Sequence, residues 1–138
     1  MALPVLRTDG SLPPGLHPIT SVSELSAAFP PITAQRQTLD AELTRFVDVV
    51  KRFGLGTEVA LDGSYITGKV APSDLDLALY APGLSEYDVE QRLLAEGADL
   101  ARSLDLWIET DRAQYEKWVR FFSTDRNGDP RGVIILAV

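Results

Sequence analysis

The sequence predicts a single α/β domain, and three observations lead there. Apolar residues recur at helical spacing over residues 34–53. Short alternating or apolar stretches, bounded by Gly and Pro, read as strands at 57–62, 74–80, 103–109 and 132–138. Helix-length amphipathic stretches separate several of these strands, as in a layered α/β arrangement.

Each element follows from local signals. Residues 1–19 are rich in Pro and Gly and lack periodicity, so an irregular N-terminal arm is expected. His17, the one histidine, lies in its run Pro13-Pro14-Gly15-Leu16-His17-Pro18 and reads as a structural or surface residue. Ser21 and Glu24 have capping-box spacing, opening a short helix that Pro30-Pro31 stops near Phe29. Thr33 is placed to cap the longest helix, 34–53, with apolar Leu39, Leu43, Phe46, Val47, Val50 and Phe53 and with Gly54 as terminator. The strand 57–62 enters Gly63-Ser64, a turn-rich loop runs to residue 73, and the alternating strand 74–80 ends at Pro82-Gly83. Ser85-Glu86-Tyr87-Asp88 opens another helix, with Val89, Leu93, Leu94 and Leu100 as its apolar side. A strand over 103–109 and a short helix carrying Tyr115, Trp118 and Val119 follow. Phe121-Phe122 then leads into a turn at 125–130 and a last strand, Gly132 to Val138, which would be open to pairing with another chain if it lay at a sheet edge.

Composition narrows the function classes. With 138 residues and no internal repeat or domain boundary, the chain reads as one domain with a real core. It has no cysteine, which removes disulfides, zinc–thiolate sites and cysteine nucleophiles. His17 alone disfavours a Ser-His-Asp triad or a histidine pair. The net charge of −7 opposes binding of nucleic acid over a broad surface, while a nucleotide stays compatible because metal ions at aspartates reverse the sign locally. No basic region followed by a long apolar run opens the sequence, and no segment approaches the ~20 apolar residues of a membrane helix. A cytoplasmic protein with no membrane association is the expectation.

The most informative stretch is Leu61 to Leu79. Residues i and i+2 of a strand share a face, so Asp74 and Asp76 project side by side with Leu75 and Leu77 behind them. Carboxylates this close repel unless a cation sits between them. Gly63 lets the backbone approach a phosphate chain and Ser64 adds a donor. Magnesium prefers carboxylate and phosphate oxygens, and two ions ~3.5–4 Å apart stabilise the entering and leaving oxygens of a displacement. Asp105, set between Leu104 and Leu106, is the candidate third carboxylate, with Glu109 near the strand end as the alternative. Lys69 reads either as an exposed loop cation or as a phosphate ligand, and Thr67 similarly. Arg126 and Arg131 flank a tight turn, as a solvated hairpin or as contacts to a nucleotide or partner. Trp107 and Trp118 read as core or half-buried aromatics, with base stacking by one of them the alternative.

Gly63-Ser64, nine intervening residues and then Asp74-Leu75-Asp76-Leu77 resemble the signature of the nucleotidyltransferase superfamily with the DNA polymerase β-type fold. More narrowly, the chain is similar to a small bacterial and phage family within it, through Leu12 to His17, Leu61 to Lys69, and Phe121-Phe122 through Gly128 and Pro130 to Ile134. The resemblance implies a mixed sheet of about four or five strands with helices packed mainly on one face and the catalytic groups at its edge. It implies that Ser64 contacts triphosphate, that Asp74 and Asp76 bind Mg²⁺ and that Asp105 is the third carboxylate. Asp62 departs from the wider superfamily, where the residue before the Gly is usually apolar; the narrower family shares the Asp.

The expected function is Mg²⁺-dependent transfer of NMP from an NTP, ATP foremost, to an acceptor hydroxyl. Ser64 and the loop, with Gly63, Thr67 and Lys69, would hold phosphates, Asp74 and Asp76 would hold magnesium (two ions), and Asp105 would orient the attacking oxygen. The core fills nearly the whole chain, which favours an acceptor brought by another protein. By analogy with minimal nucleotidyltransferases of toxin–antitoxin pairs, either that acceptor is a partner toxin or the chain is itself the toxic modifier. The alternative is a catalytically silent module of the same fold that neutralises or regulates a partner.

Overall fold

The computed structural model describes residues 3–97 and 104–138. Alternating side chains build five strands: β1 (Gly15–Ile19), β2 (Glu58–Asp62), β3 (Leu75–Tyr80), β4 (Leu104–Glu109) and β5 (Gly132–Ala137). They form one mixed sheet in the order β1-β5-β2-β3-β4. The outer pairs, β1 with β5 and β3 with β4, run parallel, and β2 is antiparallel to both its neighbours. Four helices complete the described fold: α1 (Val22–Ala28), α2 (Ala34–Phe53), α3 (Glu86–Ala95) and α4 (Arg112–Phe122). Among the described residues no helix is long and apolar enough to cross a membrane.

Alternation sorts the strand residues onto two unlike faces. Val59 and Leu61, Leu75, Leu77 and Leu79, Leu104 and Ile108, and Ile134 and Leu136 form one core with residues of α1, α2 and α3. On the other face Ala60, Ala78 and Val133 meet Tyr115 and Phe122 of α4, with Tyr80, Trp107 and Trp118 around them. The small residues Ala60 and Ala78 are register partners at the middle of the sheet, leaving room for a helix to lie close. Helices therefore sit mainly on one face, and α4 covers part of the other.

The helix limits follow their caps. The Thr33 hydroxyl accepts the Arg36 N–H at 3.3 Å, and α2 ends on Gly54 in the left-handed region. Both limits are those the sequence predicts. Several expectations change. The arm is not irregular throughout, because residues 15–19 form β1. Its Pro18 lacks an N–H, which an edge strand tolerates. The last strand lies between β1 and β2, so it offers no free edge. Phe121 and Phe122, which lead into the turn, are the last residues of α4. Leu94 is mostly exposed, because α3 turns only Val89 and Leu93 into the core. Leu100 and Ser103 lie outside the described residues.

Candidate functional site

The face that carries α4 ends, at one end of the sheet, in a row of aspartates. Asp62 ends β2 directly opposite Asp76 of β3, and Asp76 stands beside Asp105 of β4 in the parallel register. Cross-strand partners share a face, so three carboxyl groups line up across three strands. Asp74 joins them from just before β3. Its carboxylate accepts the Ser64 N–H at 3.1 Å and the Ser64 hydroxyl. The Ser64 oxygen accepts the N–H groups of Ser73 and Asp74 at 3.1 and 3.3 Å. This lacing holds the loop 63–73 closed at its neck. Gly63 is required there: its φ is 101°, and a Cβ would stand 3.0 Å from the Asp74 carbonyl oxygen.

The loop is also gripped from behind. Arg36, only 4% exposed on α2, donates to the carbonyls of Tyr65 (2.9 Å), Thr67 (2.6 Å) and Lys69 (2.7 and 3.1 Å). Its guanidinium also lies 5.1 Å from the centre of the Tyr65 ring. A buried charge without a carboxylate partner is costly, and burial lowers the pKa of this guanidinium. Four bonds to three carbonyls satisfy it. Thr67 adds an internal brace, donating to Ser64 O at 2.6 Å and accepting the Lys69 N–H at 3.1 Å.

In front of the row opens a cleft of about 910 Å³. Gly63, Ser64, Thr67, Lys69, Ser73 and Asp74 form one wall, and Asp62 and Asp76 the floor. The opposite wall is Phe121 from α4, then Thr124, Asp125, Arg126 and Arg131. The structure thus brings six of the seven candidate site residues onto one cleft. Asp105 is exposed beside Asp76 on the outer strand and is not among the lining residues. Glu109, the alternative, accepts the Trp118 Nε1–H at 3.0 Å and lies at the far end of β4 from Asp105. His17 is within 2.7 Å of the Pro13 carbonyl, a local brace. Trp107 of β4 and Trp118 of α4 stack at 4.4 Å, both half-buried.

Electrostatics sets the character of the floor. Asp62 is 3% exposed and paired with Arg131, whose Nε also donates to the Phe122 carbonyl at 3.0 Å. Burial raises the Asp62 pKa, and the Arg131 charge partly offsets this. Asp76 is pushed up to about 7 by burial first, then by the charges of Asp74, Asp62 and Asp105, with a hydrogen bond to Asp105 adding to the shift. Among the described residues no group of three or more His, Cys, Asp or Glu stands in a ready metal-binding arrangement. Asp74 is turned onto Ser64 and Asp62 onto Arg131. The donor chemistry nevertheless fits magnesium: every floor donor is a carboxylate oxygen, and Asp76 lies among like charges that a cation would relieve. Asp74, Asp76 and Asp105 are the residues available to hold it.

The sequence alone gives no role to Arg36 or Asp62, leaves Arg131 open between a solvated hairpin and a nucleotide or partner contact, and reads Phe121 only as the lead-in to a turn. Asp62 carried a readable signal, a charge following the apolar run Val59-Ala60-Leu61. Arg36 carried none, since an Arg in the first turn of a helix usually faces water.

A family model described as "Family of unknown function (DUF6932)" matches residues 4–137. No curated protein and no solved structure matches the chain.

Proposed function

Because the chain belongs to the DUF6932 family, whose description assigns no function, its activity must be read from its own residues, and we propose that it is a magnesium-dependent nucleotidyltransferase with a polymerase β-like core. The observation that carries this is the joint placement of the Gly63-Ser64 turn against Asp74 and of Asp76 on one cleft, with Asp105 in register beside Asp76 on the neighbouring strand. A strand–Gly-Ser–loop–Asp-x-Asp–strand hairpin followed by an aspartate on the parallel neighbour matches the nucleotidyltransferase signature that the sequence resembles.

When bound, magnesium would neutralise triphosphate charge and polarise the α-phosphate. The chain's own residues do the rest. Ser64 and the N–H groups of its loop meet phosphate oxygens once the Ser64 hydroxyl is released from Asp74. Lys69 supplies a cation from the same wall. Asp105, the most exposed carboxylate of the row, orients an acceptor hydroxyl and takes its proton as the new P–O bond forms and pyrophosphate leaves. Its exposure suits an acceptor arriving from outside, and we place that hydroxyl on a partner protein of a toxin–antitoxin type of pair.

A second reading rests on the closed state of the site. Ser64 is already hydrogen-bonded to Asp74, and Asp62 to Arg131. A silent module that binds its partner without turnover would keep these bonds. Melting the protein with ATP and Mg²⁺ separates the two. At a hundredfold excess over Kd, ATP should raise the Tm by about 10 °C, only with Mg²⁺ and not in Asp74→Asn/Asp76→Asn. Incubation with α-labelled ATP and candidate acceptors should then transfer label. Absence of any ATP-dependent shift leaves the silent module as the better account.

A further inference from the structure

The cleft has two chemically different walls. The loop wall offers hydroxyls, backbone and the Lys69 ammonium. The α4 wall offers a bare aromatic ring. Phe121 is 66% exposed in a cleft otherwise lined by charged and small polar residues. Its ring is nonetheless held in place. It meets Trp118 edge-on at 5.9 Å, Trp118 stacks on Trp107 at 4.4 Å, and the Trp118 N–H is tied to Glu109. The result is an aromatic ladder rooted in the sheet, with its last rung open to solvent.

Arg126 lines the same cleft. Among the described residues neither the Arg126 guanidinium nor the Lys69 ammonium has a hydrogen-bond or ion-pair partner. Both line the same cleft in a chain of net charge −7, where partners are plentiful. Arg131 by contrast is spent on Asp62, and Asp125 uses its Oδ1 to hold the N–H groups of Asn127 and Asp129 at 2.8 and 3.0 Å. Two free cations and one planar apolar surface lining one cleft describe a ligand with a polyanionic chain and a flat ring at its end. Around Phe121 the lining holds no Asn or Gln and one hydroxyl, that of Thr124, so little is available to read a base edge.

We infer that Phe121 is the platform on which the base of a nucleoside triphosphate stacks, with Arg126 on the phosphates, so that the site takes nucleotides by the ring face of the base, with little choice between adenine and guanine. This rests on the nucleotidyltransferase reading and adds a substrate range to it. Stacking accepts any base because every base has a π-face.

Calorimetric titration of the whole chain with MgATP, MgGTP and magnesium tripolyphosphate is the test. ATP and GTP should bind within about fivefold of each other, and each roughly tenfold or more tighter than tripolyphosphate. Phe121→Ala should weaken both nucleotides by roughly tenfold and tripolyphosphate by less than about twofold, while Phe121→Trp keeps nucleotide affinity. Arg126→Gln should weaken all three ligands alike. ATP, and not tripolyphosphate, should change the emission of the Trp107–Trp118 pair. Circular dichroism melts of each variant establish that it folds. Equal binding of ATP and tripolyphosphate by the unaltered chain, or equal loss of both in Phe121→Ala, overturns the stacking role and leaves the nucleotidyltransferase reading standing. A preference for ATP over GTP beyond about a hundredfold overturns the base tolerance. If neither nucleotide nor tripolyphosphate binds with magnesium, the underlying reading fails, and this inference with it.

Discussion

Asp76 sits partly out of water among three like charges, and its pH behaviour follows from that. Its pKa rises from 3.8 to about 7 on folding, with burial the leading cause. Between these values the folded chain keeps a proton that the unfolded chain has released, so the unfolded state binds fewer protons and stability falls as pH rises. Asp62, also raised, acts in the same direction. For the metal-free protein the Tm should therefore decline from pH 5 to pH 8, and Asp76→Asn should flatten that slope. A Tm that climbs across this window, or an unchanged slope in the variant, would show that Asp76 is not held among these charges. Asp74 and Asp76 were legible in the sequence because i, i+2 alternation is local information. The Asp62–Arg131 pair was not, because its members are far apart in the chain and only the sheet register brings them together.

At the scale of elements, the loop 63–73 owes its shape to α2 as much as to its own turn residues. Arg36 holds three of its carbonyls from inside the protein. Replacing it with Met should cost about 3 kcal/mol in urea unfolding, since three carbonyls, that of Tyr65 buried, lose a charged donor. Arg36→Lys should restore only part of this, because an ammonium cannot fork to three acceptors. A loss below about 0.5 kcal/mol in the Met variant would mean that water replaces the clamp. The helix limits of α2 were readable because a Thr cap and a terminal Gly act within one turn of themselves. β1 was not, because Gly15 and Pro18 lower strand propensity and only pairing with β5 makes the segment extended. The position of β5 was equally hidden, since an apolar run looks the same at an edge and in a sheet interior.

Across the whole molecule, the N-terminal arm is stitched to the C-terminal strand at one tight point. A Cβ at Gly132 would fall 2.4 Å from the Pro13 carbonyl oxygen and 2.8 Å from His17 Nε2. Gly132→Ala should push the arm off the sheet, costing about 1–3 kcal/mol and speeding hydrogen exchange in residues 15–19 more than in β3. Uniform exchange in both strands would argue against local release. The class of the fold, its helices and one wall of the cleft were written in contiguous stretches of sequence. The opposite wall, Phe121 to Arg131, depended on how α4 crosses the sheet, which periodicity alone does not specify. The strand order has a further consequence. Residues 132–137, which follow the other four strands in the chain, fill the place between β1 and β2. A growing chain on the ribosome thus has an open seam through its middle until those residues emerge. Assembly of the sheet waits for β5, and for that interval β1 and β2 each present an unsealed border to chaperones or to other nascent chains.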